Sequence, residues 1–151
     1  MDAARIVAHA RRMPAPILAP LLALAFWTHL MWAFMYATRL PAMRVAKMTP
    51  DSNAPRGEQM AQLPARVRWK ADNYNHLMEQ PTVFYAVALA SALIAPADDL
   101  AVTLAWAYVG LRVAHSLVQT LVNHIPARFV LFALSSLVLI ALTIRAAAGL
   151  V

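Results

Sequence analysis

The sequence predicts an all-α membrane protein, an antiparallel bundle of four transmembrane helices. Three observations lead there. The 151 residues are 62% hydrophobic and only 13% charged, with a mean hydropathy of +0.58, against roughly 45–50% apolar and 25% charged in soluble domains. Four apolar runs each reach about 20 residues, enough to cross the roughly 30 Å hydrocarbon core of a bilayer. Tight turns join the last three runs, so those neighbours must be antiparallel. One domain over residues 1–151 suits this length.

The first run covers about Ile17 to Thr38. A basic start with Arg5, Arg11 and Arg12 precedes it, and Pro14, Pro16 and Pro20 punctuate its beginning. The run is longer than a signal-peptide core and no convincing A-x-A cleavage site follows, so we read it as a retained helix. Trp27, Trp32 and Tyr36 suit a span, the later ones near an interface. Residues 39–72 form a polar connector with Pro41, Pro50, Pro55 and Pro64, whose half from Glu58 to Lys70 can extend the next helix.

The second run covers about Asn73 to Ala95. Pro81 interrupts it and leaves the carbonyl of Leu77 without its donor, which predicts a kink. Pro96-Ala97-Asp98-Asp99 is a turn in which either aspartate can cap the third run, about Leu100 to Val122. Asn123-His124-Ile125-Pro126 breaks the chain before the fourth run, about Ala127 to Ala147.

Seven of the thirteen basic residues lie between Arg39 and Lys70, in one connector. No zinc-finger, RRM or basic recognition-helix signature accompanies them, so the formal charge of +6 does not indicate nucleic acid. Loop positivity explains it, and places the first and third connectors in the cytoplasm. Cysteine is absent, which excludes disulfides and protein-borne thiol chemistry. Without HxxxH or HExxH, a protein metal site is not expected.

Glu79 and Arg112 are ionisable residues well inside apolar runs. A charge at membrane depth is expensive and defaults to a functional reading. Counted from the cytoplasmic ends, Glu79 lies roughly 9 Å deep, Arg112 about 15 Å and His115 about 10 Å, with Arg128 at the surface. Arg112, His115 and Gln119 share a helix face, as do Asn75 and Glu79. An Arg112–Glu79 pair is expected, with His115, Gln119 and Asn75 completing its hydrogen bonds. The bland alternative is an ion pair that only staples helices. His29, His124, His9 and Tyr85 read as bundle, interface, terminal and packing residues, and Ala107, Gly110 and Ala114 as a packing stripe.

Three segments carry a resemblance: Asn75-His76-Leu77-Met78-Glu79-Gln80-Pro81-Thr82-Val83-Phe84-Tyr85, Leu111-Arg112-Val113-Ala114-His115-Ser116, and Ile125-Pro126-Ala127-Arg128. In order and spacing they resemble the membrane-associated proteins in eicosanoid and glutathione metabolism (MAPEG), of bacterial type. The resemblance implies homotrimers of four-helix protomers in a bacterial inner membrane, with sites between subunits facing the cytoplasm. It also implies glutathione as co-substrate and a lipophilic molecule arriving from the membrane lipids. By motif position Glu79, Arg112, His115 and Arg128 carry over: Arg128 would stabilise the thiolate, and Glu79, Arg112 and His115, with Asn75 and Gln119 beside them, would bind the tripeptide. The sequence departs from the pattern at His76, where asparagine is usual, at Asp72, where arginine is, at Gln119 for tyrosine, and at Phe129 for serine.

Two functions from different classes follow. One is a glutathione-dependent transferase or peroxidase acting on lipophilic electrophiles or peroxides. The other is a non-catalytic protein that binds a lipid or apolar ligand. A small proton-coupled transporter built on Glu79 ranks last, because Arg112 at similar depth argues for a fixed ion pair.

Overall fold

A computed structural model describes residues 15–55 and 57–150. Arg5, Arg11 and Arg12 of the basic start, with His9 and Arg56, lie outside the described residues. The described chain forms six helices: α1 (Leu18–Val45), α2 (Glu58–Ala61), α3 (Ala65–Leu77), α4 (Gln80–Ile94), α5 (Asp99–Leu121) and α6 (Ile125–Ala148). With α3 and α4 taken together, four helices are long and apolar enough to cross a membrane.

Pro20 is buried in the first turn of α1, where a backbone N–H would have no intrahelical acceptor, so the ring is tolerated there. The helix continues through Pro41 to Val45, past its expected end near Thr38. Pro41 removes only the bond to the Ala37 carbonyl, and the long stems of Arg39 and Arg44 let a helix leave hydrocarbon while keeping their charges in water. Lys47, at φ +50°, ends α1. Its N–H donates to the Arg44 carbonyl at 3.0 Å, and the Met48 N–H to the Met43 carbonyl at 3.1 Å, the paired arrangement that satisfies terminal carbonyls.

The break between α3 and α4 falls at Met78 and Glu79, just before Pro81. The Met78 N–H turns to the Asn75 carbonyl at 2.9 Å, and Glu79 leaves helical geometry at φ −92°, ψ −101°. Asp98 caps α5 by accepting from the N–H groups of Leu100 and Ala101 at 3.1 and 3.2 Å. Asn123, at φ +56°, makes the turn into α6, a conformation its short polar side chain tolerates. His124 caps α6 through Nδ1, which accepts from the Ala127 N–H at 3.4 Å.

The longest contact is the antiparallel α5–α6 hairpin, and α1 packs against α3, α4 and α5. Leu24, Phe84, Ala88, Ala105, Tyr108 and Leu142 are fully buried at the centre. Ala88, Ala101 and Ala105 keep the helices close, as small residues do in membranes. The Ala107–Gly110–Ala114 stripe does not serve this inner packing. Ala107 and Gly110 are exposed, and a side chain added at Gly110 would meet nothing within 4 Å.

Candidate functional site

Where α3, α4, α5 and α6 meet, polar side chains stack in three layers along the α3–α5 contact. The His76 and His115 rings set the register, edge to face with centroids 5.9 Å apart. One turn away in one direction lie Asn73 and Gln119. One turn in the other lie Gln80 and Arg112. The spacings are the i, i+3, i+7 pattern of a single helix face, with α3 giving way to α4 between His76 and Gln80.

The deepest layer is the best connected. Arg112 is 1% exposed. Its Nε donates to the Tyr108 hydroxyl at 3.2 Å, which donates to Gln80 Oε1 at 3.4 Å. Gln80 Nε2 donates to Ser136 Oγ at 2.7 Å. The guanidinium carbon lies 5.7 Å from the Tyr108 ring centroid and 5.6 Å from that of Phe132, within cation–π range. Yet Nη2 of Arg112 has no partner. The outer layers are emptier still. Both amide atoms of Asn73, both of Gln119 and the Ser116 hydroxyl are buried without partners. Arg128, half-buried at the rim, gives Nη1 to Asn123 Oδ1 at 2.5 Å and leaves Nε unpaired.

The expected Arg112–Glu79 ion pair is not there. Glu79 is 65% exposed and its carboxylate lies 3.1 Å from His76 Nδ1. Among the described residues Arg112 meets no carboxylate. Glu79 follows Asn75 by one turn, on the exposed face of the helix rather than the face that meets α5. Asn75 is likewise exposed, whereas Asn73 is fully buried.

A family model described as the MAPEG family matches residues 17–148. The chain belongs to the MAPEG family. No curated protein and no solved structure matches it. Membership and the four apolar helices make it a multi-pass integral membrane protein of glutathione-related or lipid metabolism.

Measured against the MAPEG positions singled out in the sequence, Arg112, His115 and Gln119 are buried together on one face of α5, and Arg128 stands at the rim of the same seam. Asn75 and Glu79 lie outside it. Sequence reasoning missed Asn73, Gln80, Tyr108, Ser116, Asn123, Phe132 and Ser136. A signal existed for some of them: Asn73, His76 and Gln80 share one helical face, and Tyr108 precedes Arg112 by one turn. No pattern pointed to Ser136 or Phe132, which reach the site only through the α5–α6 hairpin.

Proposed function

We propose that this MAPEG protein is a glutathione-dependent transferase or peroxidase acting on lipophilic electrophiles or peroxides. The observation that carries the reading is Arg112, a buried cation with an unpaired nitrogen, in one seam with the orphaned carboxamides of Asn73 and Gln119. Such groups each cost about 1–3 kcal/mol unless something satisfies them, and an anionic peptide offers both a carboxylate and amide groups. Glutathione supplies the thiol nucleophile. Arg112 draws a carboxylate toward the seam, Gln119 and Asn73 present donors and acceptors to peptide groups, and His115 lies between these layers. Arg128, whose Nε is free, holds negative charge on sulfur at the rim, where a nearby cation favours the thiolate.

A homotrimer fits this reading. Asn75 and Glu79, exposed on the single protomer, then line a cleft between adjacent subunits that opens to the cytoplasm. The lipophilic partner arrives from the membrane lipids.

A second reading, lipid or apolar-ligand binding without chemistry, is favoured by a groove of about 400 Å³ lined by Thr28, His29, Trp32, Tyr74 and Met78. Calorimetric titration of glutathione into the detergent-solubilised protein, with Arg128→Ala alongside, decides between them. Binding followed by conjugation or peroxide reduction, with turnover lowered at least tenfold in Arg128→Ala, is expected. No heat at millimolar glutathione removes the enzyme reading. Binding without turnover across an electrophile and peroxide panel leaves the carrier.

A further inference from the structure

The loss of the Arg112–Glu79 pair leaves Glu79 with a different neighbour, and that neighbour leads inward. Exposure falls along the series: the Glu79 side chain is 65% exposed, that of His76 36%, and His115 is 4% exposed. Glu79 Oε2 lies 3.1 Å from His76 Nδ1, near enough for proton transfer once the two align although no hydrogen bond is formed there, and the His76 ring meets the His115 ring edge to face at 5.9 Å between centroids. The two rings are in contact, and a proton passes between positioned groups either directly or through one water. Three titratable groups thus form a line from the buried seam to the protomer surface, two of them imidazoles, whose two ring nitrogens can take a proton on one side and give it up on the other.

We propose that His115, His76 and Glu79 form a proton relay joining the buried polar seam to the surface. The need for one is physical. A thiol that ionises beside Arg128 must lose its proton, and a proton has no favourable place between that guanidinium and the buried Arg112. The charged and titratable groups acting on His115 are Arg112 on its own helix, Arg128 from α6 and His76 from α3. Those acting at the other end are His76 and the Glu79 carboxylate. The field therefore runs outward, from two cations to one anion. In the proposed step the S–H bond breaks as an N–H bond forms on His115. That imidazole releases a proton to His76, Glu79 takes the proton from His76, and water removes it. No oxidant or reductant enters.

The thiol as proton source rests on the glutathione reading, but the relay has a test that needs no ligand. The side-chain nitrogens of His76 and His115 are followed by ¹⁵N NMR against pH in detergent-solubilised protein. Glu79→Gln is expected to shift the titration midpoint of His76, and that of His115 through it. His76→Asn, which keeps a hydrogen-bonding side chain, is expected to uncouple His115 from Glu79→Gln. A His115 titration indifferent to both substitutions overturns the relay. With saturating glutathione, a pH indicator in weak buffer reads proton release after rapid mixing. His76→Asn and Glu79→Gln are each expected to slow release at least tenfold, and added imidazole to restore much of the rate in His76→Asn. Unchanged release rates overturn the relay as the exit for that proton. Coupled histidine titrations without any calorimetric heat from glutathione overturn the thiol source while sustaining the relay.

Discussion

Gln119 shows how much of this protomer's energetics is held in single residues. Its side chain is fully buried and neither amide atom has a partner, although a buried carboxamide is normally satisfied. Gln119→Leu removes both orphaned atoms while keeping volume. It is expected to stabilise the ligand-free protein by about 1–3 kcal/mol and to weaken glutathione binding. Thermal unfolding with and without glutathione checks both, and a destabilised variant would mean that the amide is already satisfied by ordered water. At this scale the sequence was partly legible. The 3.6-residue period put Arg112, His115 and Gln119 on one face before any coordinates. The same period offered Asn73, His76 and Gln80, but a carboxylate at membrane depth is a stronger electrostatic match for a buried cation than an amide is. That preference chose Asn75 and Glu79, on the wrong side of the helix.

Between residues and molecule, two terminal devices decide where the helices point. The first is the break at Met78 and Glu79, whose presence Pro81 announced. The Asn73–His76–Gln80 face nevertheless runs across it, with α3 giving way to α4 between His76 and Gln80. The second is Asp98, which caps α5 and accepts from Arg145 Nε of α6 at 2.8 Å. The Arg145 hydrogen bond, assisted by the N–H groups of Ala101 and Leu100, holds the Asp98 carboxyl below its ordinary value of 3.8 against a smaller opposing effect of desolvation. A depressed carboxylate contributes stability that is complete above the unfolded value and disappears as pH falls through the folded one. The thermal midpoint is therefore expected to hold from pH 8 to about 5 and to drop below about 4, the region where an unperturbed aspartate protonates. Asp98→Asn should lower the plateau and flatten part of that acid decline. An acid profile identical to that of the unaltered protein would show that the clamp carries none of it. Sequence reading saw that an aspartate could cap; Arg145 as its partner emerged only from the pairing of α5 with α6.

Seen whole, the protomer turns most of its apolar surface outward. Leu22, Phe26, Leu93, Leu137 and Ile144 are all more than 60% exposed, as side chains are when lipid is the solvent. Four spans were legible because length and hydropathy alone report them; what was not legible is which outward faces meet lipid and which meet another protomer. Gly110 offers a test. Nothing inside the protomer would clash with a side chain there, so Gly110→Ile is expected to keep the helical circular dichroism. In the proposed homotrimer, an Ala107–Gly110–Ala114 stripe placed between subunits predicts that the particle mass by native mass spectrometry falls from three protomers to one. A trimer retained in the variant assigns the stripe to lipid. Arg112, buried without a carboxylate partner among the described residues, is the centre of the site, and one paired thermal-shift measurement tests whether it awaits an anion. Glutathione at about a hundred times its dissociation constant should raise the midpoint of the unaltered protein by on the order of 5 °C. Arg112→Leu, which replaces an uncompensated charge by an apolar group, should be at least as stable without ligand and show no rise with it. A variant that unfolds well below the unaltered protein, or one that glutathione protects equally, would contradict the claim.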